Sequence, residues 1–277
     1  MKTSISCEMS SALPNAPPSG RCCSIFGMLV DELNYESVLA QVCQWTAASS
    51  SRYVCISNVH MVMESYDDTG FQEIVNGADL VVADGVPVFW ASRWLGLTKQ
   101  ELVLGLELTI RLCEMAAREG IPVGFYGSTP DVVAAIQKCV IDRFPTLKVP
   151  LCISPPFRPL TAEEDEQTVH EINQSGVRIL FVGLGCPKQE RWMSEHRGRV
   201  FATMLGVGWA FEVLGGKSKM APVWIQRIGM QWFYRLILNP RKLWRRYLKH
   251  NPRFIALILW ELLSKRRGHS VLLRHDR

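Results

Sequence analysis

The residue best suited by type and position to move a proton is Asp84, which ends the apolar run Leu80-Val81-Val82-Ala83 and precedes Gly85. A carboxylate at the end of a buried strand, with apolar neighbours raising its pKa, can act as a general base. Asp is also a preferred helix N-cap, here for a helix expected over 86–95, and position alone does not separate the two roles. Ser57 and Asn58 pose the same choice between capping and donating to a ligand, with capping the simpler reading.

The richest turn is Gly183-Leu184-Gly185-Cys186-Pro187-Lys188-Gln189-Glu190. Its glycines allow close approach of the backbone to a ligand, and the helix that follows offers free N–H groups to phosphate. Pro187 suits a helix's first position, so Lys188 and Gln189 are expected to project from the first turn toward that ligand. Gly206-Val207-Gly208 is a second turn of this kind. Two imitations fail on spacing. A dinucleotide fingerprint needs glycine where Lys188 stands, and a P-loop ending at Gly216-Lys217-Ser218 needs glycine where Phe211 stands. There is no D-x-D, no H-E-x-x-H and no clustered His/Cys set in the sequence, so neither a metal nor a cofactor is expected.

Such residues act together only on a scaffold that gathers strand ends. Apolar, β-branched runs over 24–30, 53–57, 80–83, 123–126, 148–153, 179–182 and 201–205 alternate with helical patterns over 35–47, 106–118, 130–144, 162–173 and 187–196. That alternation predicts an α/β fold with a mostly parallel, Rossmann-like sheet covered by helices on both faces. Sites in such sheets lie at the carboxyl ends of strands, where Asn58, Asp84, Gly127-Ser128 and the two glycine turns all fall.

Charge divides the 277-residue chain. Residues 217–277 carry 15 Lys/Arg against 2 acids, whereas the preceding residues are net −8. Helices are expected over 222–238, 240–250 and 253–266, broken at Asn239-Pro240 and Asn251-Pro252, with no strand. Four of the nine tryptophans lie here, interleaved with Arg and Lys, a composition that favours the interface of an anionic bilayer. The apolar run 254–260 is far short of the ~20 residues that a spanning helix needs. Residues 1–20, rich in Ser and Pro, read as a disordered tail; 21–220 form the α/β domain and 221–277 a helical appendage. Nine scattered cysteines without C-x-x-C read as reduced, buried thiols.

Three blocks together resemble the WecG/TagA/CpsF glycosyltransferases across roughly 24–250. They are Ser57-Asn58 with Ala78-Asp79 through Val86-Pro87, then Gly183 through Trp192, and then Gly206-Val207-Gly208-Trp209-Ala210-Phe211-Glu212. The third continues with Ala221-Pro222-Val223-Trp224, Trp232 through Leu236, Asn239-Pro240-Arg241 and Arg246-Tyr247. The resemblance implies metal-independent, inverting transfer from a UDP-sugar to a polyprenyl-diphosphate-linked saccharide in bacterial surface or exopolysaccharide synthesis. It implies a cytoplasmic enzyme, peripheral on the anionic inner face of the plasma membrane. In that reading Asp84 is the catalytic base, and Ser57, Asn58, Gly183, Gly185, Lys188, Gln189, Gly206, Gly208 and Glu212 line the substrate site. Arg235, Lys242 and Arg245 come from the appendage to neutralise diphosphate.

The chain also departs from the family pattern. Leu102 replaces an arginine, Glu107 replaces an acid at the end of the same block, and Glu212 stands where Asp is usual. A lost arginine removes a bidentate contact, so the donor sugar or its mode of binding is expected to differ from N-acetylmannosamine, with glucose one option. An inactive assembly scaffold, and a nucleic-acid binder using the basic segment, are the alternatives. The latter lacks any reader motif, so no nucleic-acid partner is expected, and homo-oligomerisation is left open.

Overall fold

The computed structural model describes residues 20–222, 225, 230–264 and 271–273, without side chains for Lys242 and 271–273. The tail reading for the first residues therefore lies outside the described residues.

Six parallel strands form the central sheet in the order β4-β3-β8-β7-β5-β6. They are β3 (Arg52–Ser57), β4 (Leu80–Ala83), β5 (Val123–Gly127), β6 (Leu151–Ile153), β7 (Ile179–Gly183) and β8 (Thr203–Gly206). The expected α/β fold, parallel and covered on both faces, is what the chain adopts. Alternate residues of each strand feed opposite cores, as a period of two requires. Tyr53, Cys55, Val81, Leu180, Val182 and Met204 face one side, and Val54, Ile56, Leu80, Val82, Phe181 and Leu205 the other.

The second core is covered by helices α1 (Tyr35–Ala47), α5 (Gly105–Glu119), α6 (Pro130–Arg143) and α9 (Trp209–Leu214). The first is covered by α2 (Val59–Asp67), α3 (Thr69–Asn76), α7 (Ala162–Gln174) and α8 (Lys188–Glu195). Helix α4 (Val86–Trp94) follows β4. Capping boxes fix two starts: Asn34 with Ser37 opens α1, and Thr161 with Glu164 opens α7.

One expected strand is two. The run over 24–30 turns back at Phe26-Gly27, both with positive φ, giving the antiparallel hairpin β1 (Arg21–Ile25) and β2 (Met28–Asp31). A two-residue turn with two positive φ values matches the twist of the strands it joins. The continuous apolar run hides it, because Gly27 is its one turn-forming residue. The hairpin also covers an edge of the large sheet, where Asp31 Oδ2 accepts from the Val81 N–H at 2.7 Å.

The appendage comprises α10 (Gln231–Leu238) and α11 (Pro240–Ser264). Pro240 starts α11 as expected, but Pro252 does not end it. A helix of 25 residues runs through that proline, with Phe254 and Ile258 in the first core and Arg253 ion-paired to Asp67 at 2.6 Å. Tertiary packing on both sides of the missing hydrogen bond outweighs the local preference. The expectation of no strand after residue 222 also fails. Strand β9 (Val271–Leu273) pairs antiparallel with β1, so the chain returns to its own beginning.

Candidate active site

The sheet order brings the sequence-marked turns into one row. Across its carboxyl edge lie Asp84 after β4, Asn58 after β3, Gly206–Gly208 after β8, Gly183–Gly185 after β7 and Ser128 after β5. They border a cleft of about 790 Å³ whose opposite wall is Gln231, Trp232, Arg235, Leu243, Arg246, Tyr247 and His250 of the appendage.

Asp84 is not a helix cap. Gly85, at φ 87°, takes the N-cap position of α4 with no side-chain cap. The Asp84 N–H donates to the Ser57 carbonyl at 2.7 Å, and Oδ1 accepts from the Gly105 N–H at 3.1 Å. Burial raises its carboxyl to about 6, against the opposing pull of the Gly105 N–H and of Arg235 across the cleft. The carboxylate is therefore predominantly ionised at neutral pH yet basic enough to accept a proton. Gly105 is a site residue that isolated motif reading missed. A Cβ there would lie 3.2 Å from Ile56 Cγ2, so only glycine lets this N–H approach Asp84 closely without displacing a core side chain.

The other candidates divide. Asn58 caps α2 with Oδ1, accepting from the His60 and Met61 N–H groups, and also lines the cleft. Ser57 does not reach the cleft. It is fully buried with Oγ on Met28 Sδ at 3.5 Å, because alternation along β3 turns it inward. Gln189 is buried beneath the glycine turns, its Oε1 accepting from the Gly185 N–H and its Nε2 donating to Glu190. That bracing is why residue 206 is glycine: a Cβ there would come within 2.9 Å of the Gln189 amide. Gly183 makes room for the Phe211 ring in the same way, and a Cβ at Gly208 would lie 3.1 Å from Gln189 Oε1. Gly185 alone of these opens onto free space, with φ 84°.

Lys188 is exposed and does not line the cleft, since Pro187 takes the cap position and turns it outward. Glu212 lines the cleft, and its carbonyl holds the Lys217 and Ser218 N–H groups. Glu107, in the block that departs from the family pattern, is bound by Arg111 at 2.9 Å outside the cleft. Arg235 lies 4.4 Å over the Trp209 ring and faces the cleft. Arg245 points away, stacked on Trp244 at 5.3 Å on the exposed side of α11, and Lys242's side chain lies outside the described residues. Arg246, the neighbour of Arg245, also lines the cleft, as does Lys217. Arg246 is held by burial below its usual range, and its Nε is buried without a hydrogen-bond partner among the described residues.

Two further features lie beside these groups. Glu190 is fully buried, its carboxyl pushed up to about 7 by burial despite the donated Gln189 amide. The fold also gathers a His/Glu/His cluster, where the sequence shows no clustered set of ligands. His60, Glu64 and His250 meet with ligand atoms within 4.8 Å of one another. Burial, followed by Arg246 and His250, lowers the His60 ring to about 3. No local pattern reveals the cluster, because 190 residues separate its two histidines.

Comparison with known proteins accords with this geometry. Residues 23–268 match the glycosyl transferase WecG/TagA/CpsF family. The chain is similar to the N-acetylglucosaminyldiphosphoundecaprenol N-acetyl-β-D-mannosaminyltransferase of Bacillus subtilis strain 168, 26% identical over 76% of this chain and 79% of that protein. It is similar to the protein of the same name from Staphylococcus aureus strain NCTC 8325, 29% identical over 76% of this chain and 81% of that one. With a sheet-edge cleft built from the family's own sequence blocks and a match over most of its length, this chain belongs to the WecG/TagA/CpsF family of glycosyltransferases.

Proposed function

We propose that the protein transfers a sugar from a UDP-sugar to a polyprenyl-diphosphate-linked saccharide, inverting the anomeric centre, with Asp84 as general base. The acceptor hydroxyl oxygen attacks the anomeric carbon, its proton passes to Asp84, and the bond to UDP breaks with its electron pair leaving on the diphosphate. The observation that carries this reading is the placement of Asp84. A carboxylate held by one backbone N–H, raised to about 6 and facing Arg235 sits on the wall opposite a cationic helix pair.

Arg235 and Arg246 neutralise the departing diphosphate, because fixed cations in a water-poor cleft stabilise developing charge strongly. Gly185, with open space around it, is where backbone meets phosphate. Asn58, braced by its cap bonds, and Glu212 contact the sugars. Leu102 and Glu107 leave the donor sugar open between N-acetylmannosamine and glucose.

The acceptor is lipid-linked, and α11 supports docking at an anionic membrane surface. Trp244, Leu248, Ile255, Leu259 and Leu263 are all exposed and fall within about 100° of arc on one helical face. Arg245, Lys249 and Arg253 flank that stripe, and such a face binds the headgroup region of anionic bilayers. No helix among the described residues is long and apolar enough to cross a membrane.

UDP release is measured from a panel of UDP-sugars with and without a polyprenyl-diphosphate disaccharide in anionic vesicles. The expected result is release only with both substrates and with one preferred sugar. Absence of turnover across the panel would overturn the reading.

A further inference from the structure

We propose that His60, Glu64 and His250 form a binding site for one divalent transition-metal ion of zinc-like ligand preference, which fastens α11 to α2 at the edge of the cleft. His60 and Glu64 are four residues apart on α2 and therefore share a face, and His250 reaches them from α11. His60 Nδ1 lies 3.7 Å, and His250 Nε2 3.5 Å, from the same Glu64 Oε1. Neither separation is a good hydrogen bond, so three polar atoms converge without satisfying one another. Tetrahedral zinc with bonds of roughly 2.0–2.1 Å holds its ligand atoms about 3.4 Å apart, close to the two Glu64 separations, and all three ligand atoms lie within 4.8 Å of one another.

The supporting shell fits the same role. The His60 ring is hydrogen-bonded to the Cys186 backbone, while its Nδ1 has no hydrogen-bond partner among the described residues. A backbone bond on one ring nitrogen fixes the tautomer that offers the other as a lone pair, the usual support of a metal-bound histidine. His250 is 4% exposed, with Nδ1 also unpartnered among the described residues. The surrounding charges are Arg246 and Lys249 on one side and Asp67 on the other, with Lys249 drawn 3.5 Å from Asp67. Glu64 supplies the one anionic ligand.

Both histidines also line the cleft, so an ion held there sits at its edge and joins α11 to α2, a role separate from the transfer chemistry.

Co²⁺ titration of the full-length, chelator-stripped protein tests the site, with Zn²⁺ as competitor and no sugar substrate present. Expected are one equivalent of cobalt showing the intense visible bands of tetrahedral coordination, displacement by zinc, and a zinc-dependent rise in melting temperature. His250→Gln and Glu64→Gln, checked for folding by circular dichroism, are each expected to weaken cobalt binding at least about tenfold. Cys186→Ser is expected to leave it intact. The proposal is overturned by lack of saturable uptake, by uptake that survives both glutamine variants, or by thiolate-to-cobalt charge-transfer bands. Because no donor or acceptor enters this assay, its failure leaves the transfer reading standing, and failed turnover leaves the metal site standing.

Discussion

The two walls of the cleft are built on different principles. On the sheet side three candidate groups are set by main-chain hydrogen bonding. Asp84 is fixed by β3 and Gly105, Asn58 by the start of α2, and Gln189 by the Gly185 turn. On the appendage side Arg235 and Arg246 are set by side-chain packing on Trp209, Tyr247 and α2. The same appendage exposes Leu248 by 63% and Leu263 by 70%, a stripe that a lone soluble helix would bury. The sheet wall is braced by its own backbone, whereas the helical wall carries an exposed apolar stripe.

The largest effect that would sharpen this contrast is expected at Asp84. Asp84→Asn should lower turnover about 10²–10⁴-fold, the usual worth of a general base, while the Gly105 contact survives because an amide oxygen still accepts. Stability should move the other way. A carboxyl raised from 3.8 to about 6 favours the folded state in its protonated form, so its contribution is present below pH 3.8 and lost as pH rises through 6. At pH 7.5 the Asn protein should be more stable by up to about 3 kcal/mol, a gain that fades toward pH 4 and is visible in melting curves. Wild-type activity should rise with pH through about 6. Near-normal turnover in Asp84→Asn would remove the base from the sheet wall.

Next in size are the arginines, which the structure separates. Arg235→Ala should cost about 10²-fold in turnover measured with a short, water-soluble acceptor and leave vesicle binding unchanged. Arg245, turned outward on Trp244, should show the reverse: Arg245→Glu weakens pelleting with anionic vesicles and spares turnover in solution. Identical behaviour of the two would mean that the helical wall has no distinct inner and outer face.

How much of this was legible in the sequence follows from where the determining contacts lie. Asp84, Asn58 and the glycine turns could be read because each ends an apolar strand, and parallel topology collects strand ends on one edge. Ser57 lies one step of strand alternation away from the cleft-facing side, and Arg245 one step around the helix from the cleft-lining Arg246, because sequence pattern fixes the segment more tightly than the facing residue. Gly105 and Glu190 stand in sequence blocks that do not say what they face, and the His60–His250 pairing carries no local signature at all. The Asp84–Gly105 contact and that pairing join segments 20 or more residues apart, which hydropathy cannot encode. The hairpin at Phe26-Gly27 and the continuation of α11 through Pro252 show tertiary contacts overriding local preference.

A smaller effect is expected from the stripe itself. Leu259→Glu with Leu263→Glu should reduce binding to anionic vesicles about tenfold, since it removes apolar burial and adds charge that the lipid repels. Turnover of a soluble acceptor should be unaffected. Vesicle binding unchanged by this pair would leave the exposed face of α11 for a protein partner instead.

The smallest effect tests how the helical wall is held to the body. Asp67, at the end of α2, meets Arg253 at 2.6 Å and Lys249 at 3.5 Å, and these cations draw its carboxyl below its usual range despite the upward pull of burial. Both partners are largely solvated, so Asp67→Asn should cost only about 0.2–1 kcal/mol, less at high salt. Phe254 and Ile258 dock α11 into the first core, and truncating either to Ala should cost several times more, about 2–5 kcal/mol. If Asp67→Asn instead destabilised the protein as much as Phe254→Ala, attachment of the appendage would be electrostatic. Rising ionic strength would then detach the helical wall and its arginines from the cleft, and turnover would fall with salt even for a soluble acceptor. Packing as the main attachment keeps the two walls in register at any salt concentration, so turnover of a soluble acceptor should then be insensitive to salt.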